Sequence, residues 1–218
     1  MSFDTSNPII KRAGSASVIY DLSKPSQTTI TLPTGSTWTS GLHWHETHDE
    51  YLHVLQGSIR VRLGQTASIR RAGQEAKVPK HVRHEWSRAD VDGGEEVIVV
   101  ERTEPADEEK HLFFWNLNGT ILLSSGEGPR FLKDWLIMLR LFMIFYELDN
   151  WPVLYEMSYV RRFLSETLAA YLEGSITHAV LASASKIGYM LSFKPIEERY
   201  TPAELYSTWK GGSRVKAA

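Results

Sequence analysis

At 218 residues the chain is long enough for one full-sized domain with an appendage, and a formal net charge of -2 gives it no field to attract nucleic acid or an anionic membrane. The absence of cysteine excludes disulfides, thiolate nucleophiles and cysteine-ligated metal centres, so any metal must be held by His, Asp or Glu. Met1 to Tyr20 carry polar and charged residues throughout and lack the apolar core of a secretory signal, which points to an intracellular, cytoplasmic protein.

From Val18 to about Gly64 the sequence reads as short strands: 28–32, Thr37 to His45, Tyr51 to Leu55 and Ser58 to Leu63, each bounded by Gly, Pro or polar clusters. Ile59 to Leu63 alternates apolar and cationic residues, the signature of a half-buried antiparallel strand, with the group Arg60, Arg62, Arg70 and Arg71 as a solvated face. Ala67 to Arg71, Gln74 to Val78 and Glu95 to Arg102 continue the pattern. Many short strands with no helical period between them predict a mainly β sandwich or barrel over residues 1–104.

Near Pro105 the texture changes to a helical region, 105–218. Asp107-Glu108-Glu109 reads as the acidic first turn of a helix running through His111 to Leu123, and a polar break at 124–129 separates it from a second run, Phe131 to Leu148. The second run is too short and too charged for a membrane span, which needs ~20 apolar residues. Its expected role is packing on the barrel's outside or on a second subunit; the alternative is a cap over the barrel mouth, making an apolar chamber for a polyketide-like or terpenoid molecule. Further helices are expected over Tyr155 to Leu172, ending near Gly174, and Ile176 to Met190, before an irregular tail from Pro195. The glycosylation sequon at Asn118 is set aside for an intracellular chain.

Chemistry concentrates in Gly41 to Gly57, Gly-Leu-His-Trp-His-Glu-Thr-His-Asp-Glu-Tyr-Leu-His-Val-Leu-Gln-Gly. Side chains two apart on a strand share a face, so His43 and His45 can address one point while Trp44 turns away, and Glu50 can return a carboxylate. Two imidazoles and a carboxylate suit a divalent transition metal. His48 is a candidate acid or base, with a solvated turn as its plainer role, and His53 has the wrong parity to join Glu50. A second block, Gly73 to His84, places Pro79 five residues before His84.

These two blocks resemble the paired motifs of the cupin superfamily, in particular single-domain fungal cupins with a C-terminal helical extension. The resemblance covers roughly residues 28–103. It implies a cupin-type jelly roll, a metal centre of His43, His45, Glu50 and His84, and, by family habit, a homodimer acting on a small molecule. One divalent ion would fit that set, with iron, manganese or zinc preferred and nickel, copper or cobalt possible; Glu50 would serve as ligand and base. Trp86, Trp44 and His81 are the expected substrate contacts. The expected activity is that of an oxygenase or related oxidoreductase with a substrate oxygen on the metal. The alternatives are a non-redox isomerase, cyclase or decarboxylase, and a non-catalytic binder. The chain departs from the motifs at Thr37 and His81, where glycine is usual, and at Arg88, where asparagine is common.

Overall fold

Residues 3–89, 94–123 and 129–216 are described by the computed structural model. Ten strands come first: β1 (Ile9–Arg12), β2 (Val18–Asp21), β3 (Gln27–Leu32), β4 (His43–Trp44), β5 (Asp49–Gln56), β6 (Ser58–Leu63), β7 (Thr66–Arg71), β8 (Glu75–Val78), β9 (His84–Arg88) and β10 (Val97–Glu104). They form two antiparallel sheets, β1-β2-β3-β10-β5-β8 and β4-β9-β6-β7, the second extended at β4 by a late strand, β11 (Trp151–Pro152). Alternation decides which side of each strand is buried: in β3, β5, β9 and β10 every second residue faces the core. Ile30, Leu32, Leu52, Val54, Ile59 and Val99 fill the space between the sheets. This is the jelly roll that the resemblance implied, and it answers to the sandwich or barrel read from the strand pattern.

The strand predicted from Thr37 to His45 shrinks to β4 and a single bridge between Thr39 and Ser87. Gly41, at φ 72°, turns the chain between them, a left-handed conformation that side chains resist.

The helical half comprises α1 (Glu109–Leu123), α2 (Arg130–Glu147), α3 (Ser158–Phe163), α4 (Glu166–Met190) and α5 (Ala203–Lys216), with a 3-10 turn at Glu198–Tyr200. The break expected at 124–129 falls almost wholly outside the described residues. In place of two helices meeting near Gly174, α4 runs unbroken through that glycine, and the interruption lies at Leu164–Ser165. Ser165 caps α4 by accepting a hydrogen bond from the Leu168 amide at 3.0 Å. A mid-helix glycine costs about 1 kcal/mol against alanine, and α4 packs along α2. The tail is not irregular: α5 follows Pro202 and packs Tyr206 with Leu112, Ile144, Leu148 and Ile196 in a second small core. Asn118 is fully buried, its amide donating to the Phe114 carbonyl at 2.8 Å. No described helix is long and apolar enough to cross a membrane.

Candidate metal centre and its chamber

His43 and His84 face each other across the β4–β9 pairing, His45 follows β4 on the same face, and Glu50 projects from β5 of the opposite sheet. One ligand atom from each of the four lies within 4.8 Å of every other, and all four residues are buried. His45 Nε2 stands 3.2 Å from Glu50 Oε2, and His84 Nε2 stands 3.3 Å from Glu50 Oε1.

The outer nitrogen of each imidazole is engaged by a backbone carbonyl. Nδ1 of His43 meets Gly41 O at 2.8 Å, Nδ1 of His84 meets Val82 O at 3.0 Å, and Nδ1 of His45 meets Asp149 O at 2.5 Å. A carbonyl only accepts, so each Nδ1 carries the proton and each Nε2 lone pair turns inward, the arrangement metal-ligating histidines adopt. Burial, and then the neighbouring imidazoles, hold His43 well below the usual histidine range; burial also lowers His45. Burial alone would raise Glu50, but the Lys110 ammonium beside it outweighs this and holds the carboxyl well below its ordinary value, ionised. Two buried polar atoms, Glu50 Oε1 and His84 Nε2, have no hydrogen-bond partner. Neutral inward lone pairs, one carboxylate and unsatisfied atoms at a single point fit a divalent metal, so this buried His43, His45, Glu50 and His84 group is able to bind one.

Behind Glu50 lies a group with no counterpart in the strand motifs. Lys110, from α1, places its ammonium 2.5 Å from Glu50 Oε2 and 2.5 Å from Glu101 Oε1. The two carboxylates keep Lys110 charged against the effect of burial. Glu101, buried and close to Glu50, is pushed up to about 7 despite the ammonium.

His48 is placed differently from the expectation of an acid or base at the metal. Its Nε2 lies 2.9 Å from Asp107 Oδ2 and its Nδ1 2.9 Å from Asp149 Oδ2, so both ring nitrogens are occupied. These bonds raise it to about 9 and make it an imidazolium at neutral pH. Asp149 ends α2 in a left-handed conformation (φ 49°), which sends its carbonyl to His45 and its carboxylate to the amides of Glu46 and Thr47. Sequence reading missed Asp149 and Lys110, because each reaches the site from an element distant along the chain.

A cavity of about 290 Å³ opens beside His43 and His45. Its walls are α1 and α2, through Phe113, Phe114, Leu117, Leu141 and Phe145, so these helices close the barrel mouth instead of lying only on its outside. Trp86 shares the inward face of His84 as expected, but it sits behind Trp38, 4.8 Å between ring centroids, and does not line the cavity. Trp44 turns away from the ligands and stacks on Trp151, and His81 is exposed at the turn before His84, its amide bonded to the His45 carbonyl at 2.6 Å. His81 adopts φ 66°, which accounts for the glycine usual at that position. Arg88, in place of asparagine, ties together the carbonyls of Leu32, Pro33 and Glu95. His53 faces outward on β5, away from Glu50.

No model of a known protein family matches the sequence, and no curated protein matches it. Among solved structures the chain is similar to a predicted oxalate decarboxylase from Thermotoga maritima, at 15% identity over 47% of this chain and 96% of that one, with a TM-score of 0.38. It is also similar to the cupin domain of Drosophila melanogaster CENP-C, at 13% identity over 47% of this chain and 80% of that one (TM-score 0.36). An oxalate oxidase in complex with glycolate matches at 19% identity over 37% of this chain and 42% of that one (TM-score 0.32). The assignment of a cupin-type jelly roll rests on the two sheets themselves.

Proposed function

We propose that the protein is a metal-dependent enzyme of the cupin superfamily acting on a small organic molecule held between barrel and helices, an oxygenase or related oxidoreductase ahead of a non-redox isomerase, cyclase or decarboxylase. The observation that carries this reading is the convergence of three Nδ1-anchored imidazoles and the unpartnered Glu50 Oε1 beside an apolar cavity. A bound metal would polarise a substrate oxygen as a Lewis acid and, if redox-active, support electron transfer to dioxygen. The protein's own contribution is placement. His43, His45 and His84 supply neutral nitrogens, Lys110 occupies Glu50 Oε2 and leaves Oε1 to the metal, and α1 and α2 set an apolar wall beside the reacting face.

A second reading, a metal-free binding protein, draws on one observation: the Lys110 ammonium already balances the Glu50 charge without a metal. Elemental analysis of the full chain purified without added metal separates the two. About one equivalent of metal, lost in His84→Ala, supports the enzyme, with iron favouring the oxygenase and zinc the Lewis-acid reactions; no metal in the unmodified protein overturns it. Oxygen uptake with candidate substrates then tests the oxygenase branch, which full anaerobic turnover would eliminate. A homodimer belongs to the same reading, supported by Phe131, Trp135 and Met138, spaced along one face of α2 and exposed; sedimentation equilibrium measures it.

A further inference from the structure

Three cations line the chamber, His48 among them, and the other two, Lys110 and Arg12, stand in opposite situations. Lys110 is held between two carboxylates, whereas Arg12, at the end of β1, has no carboxylate partner among the described residues. Its Nη2 donates to the Tyr20 hydroxyl at 2.6 Å, and Trp38 Nε1 donates to the same oxygen at 3.1 Å. Guanidinium and indole nitrogens only donate, so the Tyr20 oxygen accepts both bonds and its own proton is left to be given away. Among the described residues nothing accepts it. Tyr20 is 1% exposed and lines the cavity, so the acceptor for this proton has to come from whatever occupies the cavity. Burial pushes the phenol up to about 12, which keeps it a donor.

A buried O–H and a guanidinium side by side on the cavity wall, neither paired with an anion among the described residues, are complementary to an oxyanion. β2, which carries Tyr20, lies three strand spacings from β5, which carries Glu50, on the order of 14 Å at ~4.8 Å per spacing. Between the two ends the walls are Phe113, Phe114, Leu117 and Phe145. We propose that Arg12 and Tyr20 form a carboxylate-binding subsite, so that the chamber takes an amphipathic organic acid: carboxylate on Arg12 and Tyr20, apolar body along α1 and α2, opposite end toward His43 and His45. The inference rests on reading this cavity as the substrate chamber.

The test compares 2-naphthoate with 2-acetonaphthone, its neutral ketone analogue, by isothermal titration calorimetry on the full chain. The protein is first treated with chelator, so that no metal can capture the carboxylate. Naphthoate is expected to bind at least about tenfold more tightly than the ketone. Arg12→Met should bring the two within about twofold of each other, Arg12→Lys should retain part of the preference, and Tyr20→Phe should weaken both, since both present an acceptor oxygen. Failure of naphthoate to bind at millimolar concentration, equal binding of the two ligands, or a preference that persists in a folded Arg12→Met variant overturns the proposal. His84→Ala separates this outcome from the metal reading: a preference retained there and in metal-free protein upholds the subsite whatever the metal content, and a metal-loaded protein without the preference sinks the subsite alone.

Discussion

Lys110 is the residue on which the polar interior of this protein depends most. Its side chain is 7% exposed and its ammonium bridges Glu50 and Glu101, themselves buried, so its removal leaves two carboxylates without a counter-charge. Breaking a buried ion pair from one side typically costs about 3–5 kcal/mol, whereas replacing all partners by neutral groups costs far less. Lys110→Met is therefore expected to lower unfolding free energy by that amount, and Lys110→Met combined with Glu101→Gln to recover only the share owed to Glu101, since Glu50 stays uncompensated, as measured by urea denaturation. Recovery would show that the cost is one of uncompensated charge and not of lost packing. If the two substitutions instead add, the bridge is not an electrostatic unit. The contrast with the ligand set shows what sequence can carry. His43 and His45 were legible because strand parity puts them on one face, and Glu50 and His84 because the two blocks that hold them resemble the paired cupin motifs. Lys110, Arg12 and Asp149 carry no such mark: a lysine in an acidic first turn, an arginine ending a short strand and an aspartate after a helix acquire meaning only when the fold brings them to the cavity or, for Asp149, to His45 and His48.

At the scale of elements, α1 determines whether the chamber exists, since it supplies Lys110 to the metal side and Phe113, Phe114 and Leu117 to the wall. Its seating depends on a close approach at Gly119, where an added Cβ would meet the Tyr200 ring at 2.5 Å. A ring wedged beneath a helix has little freedom to give. Gly119→Ala is therefore expected to destabilise by about 1–3 kcal/mol through overpacking, even though alanine is the better helix former. If the helix shifts to relieve the clash, the metal-side contacts of Lys110 move with it, so thermal melting should be accompanied by weaker naphthoate binding. A gain in stability would show that Tyr200 yields easily. Alternation made most strands readable, and Ser58 to Leu63 was placed to the residue. The helical half was less so: the start of α4 is set by the Ser165 cap and its passage through Gly174 by packing on α2, a tertiary effect that a local breaker signal cannot anticipate.

At the scale of the whole molecule, His48 clamps three distant parts of the chain. Its ring joins the β4–β5 turn to Asp107 before α1 and to Asp149 after α2, and the Asp149 carbonyl in turn orients His45. The clamp is ionic, so its strength depends on pH in a direction the shifts determine. His48 is raised from 6.5 to about 9 in the folded protein, so its contribution is fully present below pH 6.5 and is lost as pH rises through about 9. Asp149 is depressed, although burial works against it, by its bonds to His48 and Thr47; its contribution holds above the ordinary aspartate value of 3.8 and fades as pH falls below it. The window of greatest strength therefore runs from about pH 4 to 6.5. His48→Gln keeps a polar side chain but no charge. Because Asp107 is 40% exposed, solvent reduces its share, and the loss on substitution is expected to be on the order of 2 kcal/mol at pH 6, shrinking toward zero near pH 9.5. Urea unfolding of the two proteins across this range gives the difference directly, and other groups titrating in the window, Glu101 among them, cancel in the subtraction. A difference that stays constant with pH would mean that His48 holds the turn, α1 and α2 together by shape and neutral hydrogen bonds and not by charge.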